Sequence, residues 1–442
     1  MAGASDKARW YLEQSVPELQ ELERKQIFSR PEITSITKKR SDFEHKINAR
    51  GSHPSDYARY AEYEMNLDTL RRKRSRRLGA KPAQHVGERR VLFILDRATR
   101  KFHGDLGLWM QYLEYAKKLK AYKKIQQLLT SFVRLHPTKP EVWIYAATYA
   151  LNEQGDMTEA RSYFQRGLRF CKWSRLLWLD YARAELIYIA KIVVRQQVLG
   201  VDEDSRKKRL VQIPDGEANG HISLAVTAED VDPNSMTDAE VDPEGLKTLN
   251  KAPMLSGAIP IAIYDTAMAQ FKDAQFGRQF FDMVSEFDNL PCLNRVLSHI
   301  VDSLLSTYPK NPYTLDTLTR QSLVTVDPHS REFPLALGTA LKHLKTHTES
   351  GDATLLTFVQ LTVRWLSTYL NEEGLDPDIV KVLLMTLKKS LLSIEHCNDR
   401  KKSTAEEVAL LLADVKERGE NRSLQFLSPW VAAQWPVCTD LV

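Results

Sequence analysis

Residues 178–185 read WLDYARAE, so that a tryptophan, a tyrosine and a glutamate follow one another at spacings of three and four. Residues 57–64, YARYAEYE, repeat this order with a tyrosine in the first position. Residues three and seven positions apart lie along one face of a helix. Each stretch therefore predicts a helix whose aromatic side packs against a neighbour. The residues that carry the pattern are Tyr57, Tyr60, Glu64, Trp178, Tyr181 and Glu185.

Two weaker copies lie between these stretches. Trp109 with Tyr112, and Trp143 on its own, keep the aromatic spacing but lose the glutamate. The tryptophans at 109, 143 and 178 are separated by 34 and 35 residues. A fixed period near 34 is typical of a repeat made of two helices and two turns. The sequence predicts an all-α fold, an α-solenoid of helical-hairpin repeats, with the tryptophans in its core rather than serving as base-stacking platforms.

The second helix of each hairpin has its own signature. Residues 159–168, EARSYFQRGL, follow the helix of Trp143, and residues 90–98 follow the helix of Tyr57. Their small residues, Gly167 and Ala98, allow two paired helices to approach closely.

Three parts of the chain differ in pattern. Residues 1–51 are predicted to form an N-terminal helical head, residues 52–290 the repeat array, and residues 291–442 further helical repeats. From about 200 to 251 the helical pattern stops, and the sequence becomes acidic and rich in turn-forming residues. Such a segment buries too little apolar surface to offset the entropy of ordering, so it is predicted to be a disordered insertion.

Charge is distributed unevenly along the 442 residues. The net charge is +5, but residues 1–100 hold 22 Lys and Arg against 14 Asp and Glu. Residues 215–244 hold nine acidic residues and no Lys or Arg. This asymmetry predicts that different parts of the chain meet different partners. The N-terminus lacks an apolar leader, and the longest uncharged stretch is too short to span a bilayer, so no membrane association is expected.

Motifs of catalysis are missing from the sequence. It contains no G-x-x-x-x-G-K-[ST], no H-E-x-x-H and no G-x-S-x-G. Its four cysteines are isolated and its eleven histidines scattered. We therefore expect no enzyme activity, metal, cofactor or small-molecule substrate. Glu64 and Glu185 recur as repeat positions, where we expect them to satisfy tyrosine or backbone groups between hairpins.

One dense basic run stands out, residues 71–77, RRKRSRR. Three interpretations remain open: contact with RNA phosphates, a nuclear import signal, or a solvated helix end. All three assume that charges so dense are exposed. The basic residues of the run are Arg71, Arg72, Lys73, Arg74, Arg76 and Arg77.

These repeats resemble the half-a-TPR (HAT) family, whose hairpins pair an aromatic–Tyr–Glu helix with an Ala-Arg-x-x-Phe-x-Arg-Ala/Gly-Leu helix. Residues 11–51 and 56–78 further resemble the head of the U-three snoRNA-associated protein six family. That resemblance implies the HAT-repeat subunit of the UtpB complex, a nucleolar scaffold of the small-subunit processome that acts in early pre-rRNA processing and 40S biogenesis. It also implies WD40-propeller subunits, pre-rRNA and a guide snoRNA as partners.

Two other functions fit the residues. A helical-repeat adaptor could bind peptides with no link to RNA, and an independently RNA-binding protein would show salt-dependent binding by the purified chain.

Overall fold

A computed structural model describes residues 4–79, 85–198, 255–287, 290–348 and 355–397, together with short stretches between 410 and 434. The predicted acidic insertion, residues 200–251, lies outside the described residues. The described residues form helices and no strand, which confirms the all-α class. By compactness the chain divides into an N-terminal unit, Met1–Ala146, and a C-terminal unit, Ala147–Val442.

The N-terminal unit contains seven complete helices among its described residues. They are α1 (Ala4–Glu13), α2 (Val16–Arg24), α3 (Arg30–Asn48), α4 (Pro54–Arg77), α5 (Val86–Lys101), α6 (Leu106–Lys118) and α7 (Tyr122–Leu135). An eighth helix, α8 (Pro140–Tyr149), crosses the division between the units and continues into a single π-helical turn, Ala150–Gln154.

The described residues of the C-terminal unit continue the series. Its helices are α9 (Met157–Phe170), α10 (Arg175–Val198), α11 (Ala258–Phe271), α12 (Ala274–Ser285), α13 (Leu293–Thr307), α14 (Pro312–Val324), α15 (Phe333–Thr348), α16 (Leu355–Asn371) and α17 (Pro377–Cys397).

Short polar side chains fix where many of these helices begin. Asp105 accepts a hydrogen bond from the backbone N–H of Leu108 at 3.2 Å, and Asp156 accepts from the N–H groups of two residues in the first turn of α9. Such caps satisfy donors that have no partner inside the helix. Pro54 and Pro312 occupy first helical positions, where a missing N–H costs nothing.

Neighbouring helices pair in the order of a helical repeat. In the C-terminal unit α12 packs against α11 and α13, and also against α10 and α14, which begin the hairpins before and after it. In the N-terminal unit α4 packs against its partner α5 and against α6, the first helix of the next hairpin. Contact restricted to near neighbours is typical of repeat arrays, so the α-solenoid class is confirmed.

Within the described part of the chain, no helix combines the length and the apolar character needed to cross a bilayer.

Candidate nucleic-acid interface

Four residues join α3 to α4 in what we call the N-terminal clamp. Arg40 donates from Nε to Glu64 Oε1 at 2.7 Å and from Nη2 to Oε2 at 2.8 Å. One turn away, the ring of Phe43 stacks on Tyr60, with centroids 5.0 Å apart and planes 10° apart. The paired ion side chains are each only 2% exposed. A bidentate, charge-assisted pair of this kind fixes both the distance and the register of two helices.

The C-terminal clamp joins α9 to α10 with the same chemistry. Arg161 donates to the two carboxylate oxygens of Glu185 at 2.7 and 2.8 Å, while Phe164 stacks on Tyr181 at 5.0 Å. In both clamps the arginine precedes its glutamate by 24 residues and the phenylalanine precedes its tyrosine by 17. The expectation that these glutamates serve tyrosine or backbone groups is therefore wrong, because each binds an arginine on the preceding helix.

Arg40 and Phe43 were missed by the sequence analysis, although a signal for them exists. Arg40-x-x-Phe43 repeats the order of Arg161-x-x-Phe164, which belongs to a recognised second helix of a hairpin. The helix α3 therefore plays the part of a repeat helix toward α4, so the N-terminal clamp crosses the predicted boundary at residue 51. That boundary stays a prediction.

The three periodic tryptophans are buried, as their spacing predicts. Each indole N–H donates to the backbone carbonyl six residues earlier, at distances between 2.9 and 3.1 Å. The donor–acceptor pairs are Trp109 with His103, Trp143 with Pro137, and Trp178 with Lys172. A buried ring whose polar N–H is satisfied ties the start of a helix to the preceding turn and offers no face for a nucleobase.

The tyrosines of the motif are buried too. Tyr57 packs edge-on against Phe102, and its hydroxyl donates to the carbonyl of Ile47 at 3.4 Å. Burial raises the pKa of Tyr57 and of Tyr112 above the ordinary value for a phenol. These hydroxyls therefore stay neutral, and the tyrosines serve as core residues of the hairpins.

The basic run occupies the last two turns of α4, and Arg71 lies inside the protein. Its Nε and Nη2 donate to Asp68 Oδ1 at 3.0 and 2.6 Å, and the side chain is only 6% exposed. Gly87 of α5 sits against this pair, since a Cβ at that position would lie 2.1 Å from the same oxygen. The assumption that the whole run is exposed is therefore wrong for Arg71.

Two further arginines of the run hold neighbouring segments. Arg72 donates to Asp68 Oδ2 at 2.7 Å and also contacts Glu88. Arg74 donates to both carboxylate oxygens of Glu32 at 2.8 Å, and its hydrogen bonds, together with that of the Ser29 N–H, lower the pKa of Glu32 to about 2. Local density of charge failed to predict exposure because acidic side chains from α3, α4 and α5 converge on the same turns.

Lys73, Arg76 and Arg77 remain exposed on the outer side of α4. None of the three forms an ion pair with a residue in the described ranges. Of the six basic residues, these three combine exposure with the absence of an ion pair to a described residue. Contact of the run with RNA stays a prediction, and it depends on these side chains.

Across the ranges that the structure describes, no group of three or more His, Cys, Asp or Glu side chains could hold a metal ion.

The matched family model is described as U3 small nucleolar RNA-associated protein 6, and it covers residues 12–93. The Schizosaccharomyces pombe protein of that name is 35% identical over 223 residues, which are 50% of this chain and 46% of the relative. The Homo sapiens homologue is 28% identical over 327 residues, covering 73% of this chain and 48% of the relative. The Dictyostelium discoideum homologue is 23% identical over 321 residues, covering 70% and 52%.

The chain thus spans about half the length of the curated relatives it matches. The matched residues 12–93 include the whole N-terminal clamp and the basic run. Over residues 12–93 the chain matches the U3 small nucleolar RNA-associated protein 6 family, and it is similar to curated proteins of that name over about half of their length.

Proposed function

We propose that this chain is a non-catalytic scaffold subunit of the small-subunit processome, within a UtpB-like complex. It supports early pre-rRNA processing and 40S ribosome biogenesis in the nucleolus. The observation that carries the proposal is the family match over residues 12–93, where charged side chains hold helices together. Arg40 pairs with Glu64 between α3 and α4, and Arg71 pairs with Asp68 within α4, which is the behaviour expected of structural charges.

Exposed aromatic side chains in the C-terminal unit support the proposal that this chain binds other proteins. Trp173 is 73% exposed and Phe170 is 60% exposed, both at the turn between α9 and α10. Large aromatic residues dominate the binding energy of protein interfaces, and isolated monomers seldom expose them together. The proposed partners are the WD40-propeller subunits of a UtpB-like complex, with pre-rRNA and guide snoRNA bound directly or through that complex. No membrane, cofactor or small-molecule substrate is proposed.

Affinity purification of the tagged chain from cells tests the proposal. Mass spectrometry would identify its protein partners, and hybridisation would detect U3 snoRNA, each with and without ribonuclease. We expect propeller subunits in both samples and U3 snoRNA in the untreated one. Protein partners without U3 snoRNA would favour the peptide-binding adaptor, and loss of every protein partner after ribonuclease would contradict the scaffold.

A paired variant locates the protein-binding surface. Trp173→Ala and Phe170→Ala together should release protein partners while the fold persists, because both side chains are exposed. Trp10→Ala is the matched control, since that exposed tryptophan lies in the N-terminal unit.

A further inference from the structure

The turn between α6 and α7 is the second basic feature of the N-terminal unit. Residues 117–124 read KKLKAYKK, with five lysines in eight positions and no acidic residue. Lys118, Lys120 and Lys123 are exposed and form no ion pair with any residue that the structure describes. Their charges are therefore available to an anionic partner.

The local backbone strengthens this positive field. The helix α7 begins after Ala121 without a side-chain cap, and its first turn holds no acidic residue. The helix dipole favours negative charge at such an end. Lys120 takes a left-handed conformation, φ 53°, which lets the chain turn tightly between the helices.

A groove leads away from this turn. A depression of about 560 Å³ lies between α5 and α7, where Lys124, Gln127 and Ser131 line it. Lys123, Gln126 and Thr130 lie beside it on the exposed face of α7. Asp96 is the acidic residue that lines this depression. Its carboxylate is already neutralised by Arg100, whose Nη2 lies 2.8 Å away, and by Lys124, whose Nζ lies 3.6 Å away.

The side chains of the groove suit a nucleic acid strand better than an acidic peptide. Tyr122 is 56% exposed among the lysines, where its ring can stack on an unpaired base. The lining offers amide and hydroxyl groups, which bond to sugars, phosphates and base edges. An acidic peptide would need apolar anchor pockets, and the exposed large apolar side chain here is Leu135, at the far end of α7.

We infer that this turn and the depression beside it bind single-stranded RNA, with Lys118, Lys120 and Lys123 of the turn on the phosphates and Tyr122 stacked on a base. The inference goes beyond the proposed function, because it requires binding by the purified chain outside any assembled particle. It is also separate from the basic run of α4.

The test is fluorescence anisotropy of a labelled 12-nucleotide oligouridylate with the purified full chain, at several salt concentrations. Lys118→Gln, Lys120→Asn and Lys123→Gln are combined, with asparagine at 120 because it tolerates positive φ. The matched control combines Lys272→Asn, Lys310→Gln and Lys342→Gln, of which Lys272 also has positive φ. Both variants lose three positive charges, and circular dichroism verifies their fold.

For single strands each lost phosphate contact lowers the salt slope of log K by about 0.7. The groove variant should therefore lose roughly two units of slope, while the control keeps the slope of the unaltered chain. Tyr122→Ala should weaken binding about fivefold or more at unchanged slope, because stacking is insensitive to salt.

Several results would overturn the inference. One is an equal loss of slope in the groove and control variants, and another is no binding by the unaltered chain at low salt. Displacement of the RNA by polyglutamate at equal charge concentration would assign the groove to an acidic protein. If U3 snoRNA co-purifies from cells while any of these results holds, the inference fails and the proposed function stands.

Discussion

The two clamps have the same bonds but different surroundings. In the N-terminal unit the Arg40–Glu64 pair is 2% exposed on both sides, and Glu18 approaches Arg40 to 3.9 Å while binding Arg90 at 2.7 Å. In the C-terminal unit Arg161 is 26% exposed over a buried Glu185. The repeat therefore determines the geometry of the clamp, and the neighbouring helices determine how far it is removed from water.

Burial changes how the Arg40–Glu64 pair contributes to stability. Burial works to lower the pKa of Arg40, but the charge and hydrogen bonds of Glu64 outweigh it and raise that pKa. Arg40 is thus a permanent charge held inside the protein by one main partner. Breaking a buried pair is costly because the remaining charge has no water to replace the lost partner.

The two units also differ in their content of charged residues. Residues 1–146 hold 30 Lys and Arg against 17 Asp and Glu, whereas residues 147–442 hold 32 against 40. The N-terminal unit is thus basic, whereas the acidic excess of residues 147–442 includes that of residues 200–251, which lie outside the described residues. Part of the basic excess is paired within the fold, so the proposed RNA contact is expected at the lysines and arginines that remain exposed.

The largest effect is expected from breaking the N-terminal clamp. Arg40→Ala should lower the free energy of unfolding by about 3–5 kcal/mol, since it leaves Glu64 buried and unpaired. Arg161→Ala should cost less, about 1–3 kcal/mol, because water can enter the half-open site and reach Glu185. Urea unfolding followed by circular dichroism measures both.

The double variant Arg40→Met with Glu64→Leu is the control for the clamp. It removes both charges and should recover most of the lost stability. Equal costs for Arg40→Ala and Arg161→Ala would show that burial does not distinguish the clamps.

A comparable loss is expected from the repeat core. Trp178→Ala should destabilise the C-terminal unit by about 3–5 kcal/mol, the usual cost of deleting a buried aromatic side chain. Trp173→Ala, in the same unit but exposed, should change stability by less than about 0.5 kcal/mol. Thermal melts compare the two, and a wild-type melt for Trp178→Ala would exclude that residue from the core.

Intermediate losses of stability are expected from substituting one tightly packed glycine in each unit. Gly277→Ala brings a Cβ within 2.6 Å of Leu304, and the resulting overpacking should cost about 1–3 kcal/mol. Gly87→Ala should cost more, because its Cβ would displace the Asp68 carboxylate that binds Arg71. Denaturant midpoints rank the two variants, and the reverse order would show that Asp68 can move without loss.

The smallest effect concerns pH and the Arg74–Glu32 pair. The pKa of Glu32 is about 2 in the folded chain, below its ordinary value of 4.5. Its contribution to stability is therefore complete above pH 4.5 and is lost as the pH falls toward 2. Arg74→Met should remove the larger part of this contribution, by less than about 1 kcal/mol since the pair is partly exposed, while the hydrogen bond from the Ser29 N–H remains.

Arg76→Met is the matched control for Arg74→Met, because Arg76 is exposed and forms no ion pair with a described residue. Its stability should follow the pH dependence of the unaltered chain. An identical pH dependence for all three proteins would contradict the role of Glu32.

The fold was predictable because its signal is local and periodic. Trp109, Trp143 and Trp178 mark the period, and their burial follows from one helical face repeating every 34 or 35 residues. The candidate interface was less predictable because exposure depends on distant partners. Arg71 and Arg77 belong to the same basic run, but their environments differ. Arg71 is buried because it pairs with Asp68, against which Gly87 packs, whereas Arg77 is exposed to solvent.

Ultraviolet crosslinking of the assembled particle, followed by mass spectrometry of RNA-bearing peptides, tests the central claim most directly. The claim is that this scaffold meets RNA through the exposed charges of its basic N-terminal unit. A protease that does not cut at lysine or arginine keeps the relevant peptides intact. We predict crosslinks in peptides that contain residues 73–77 and 118–124. Crosslinks confined to residues 147–442 would contradict the account.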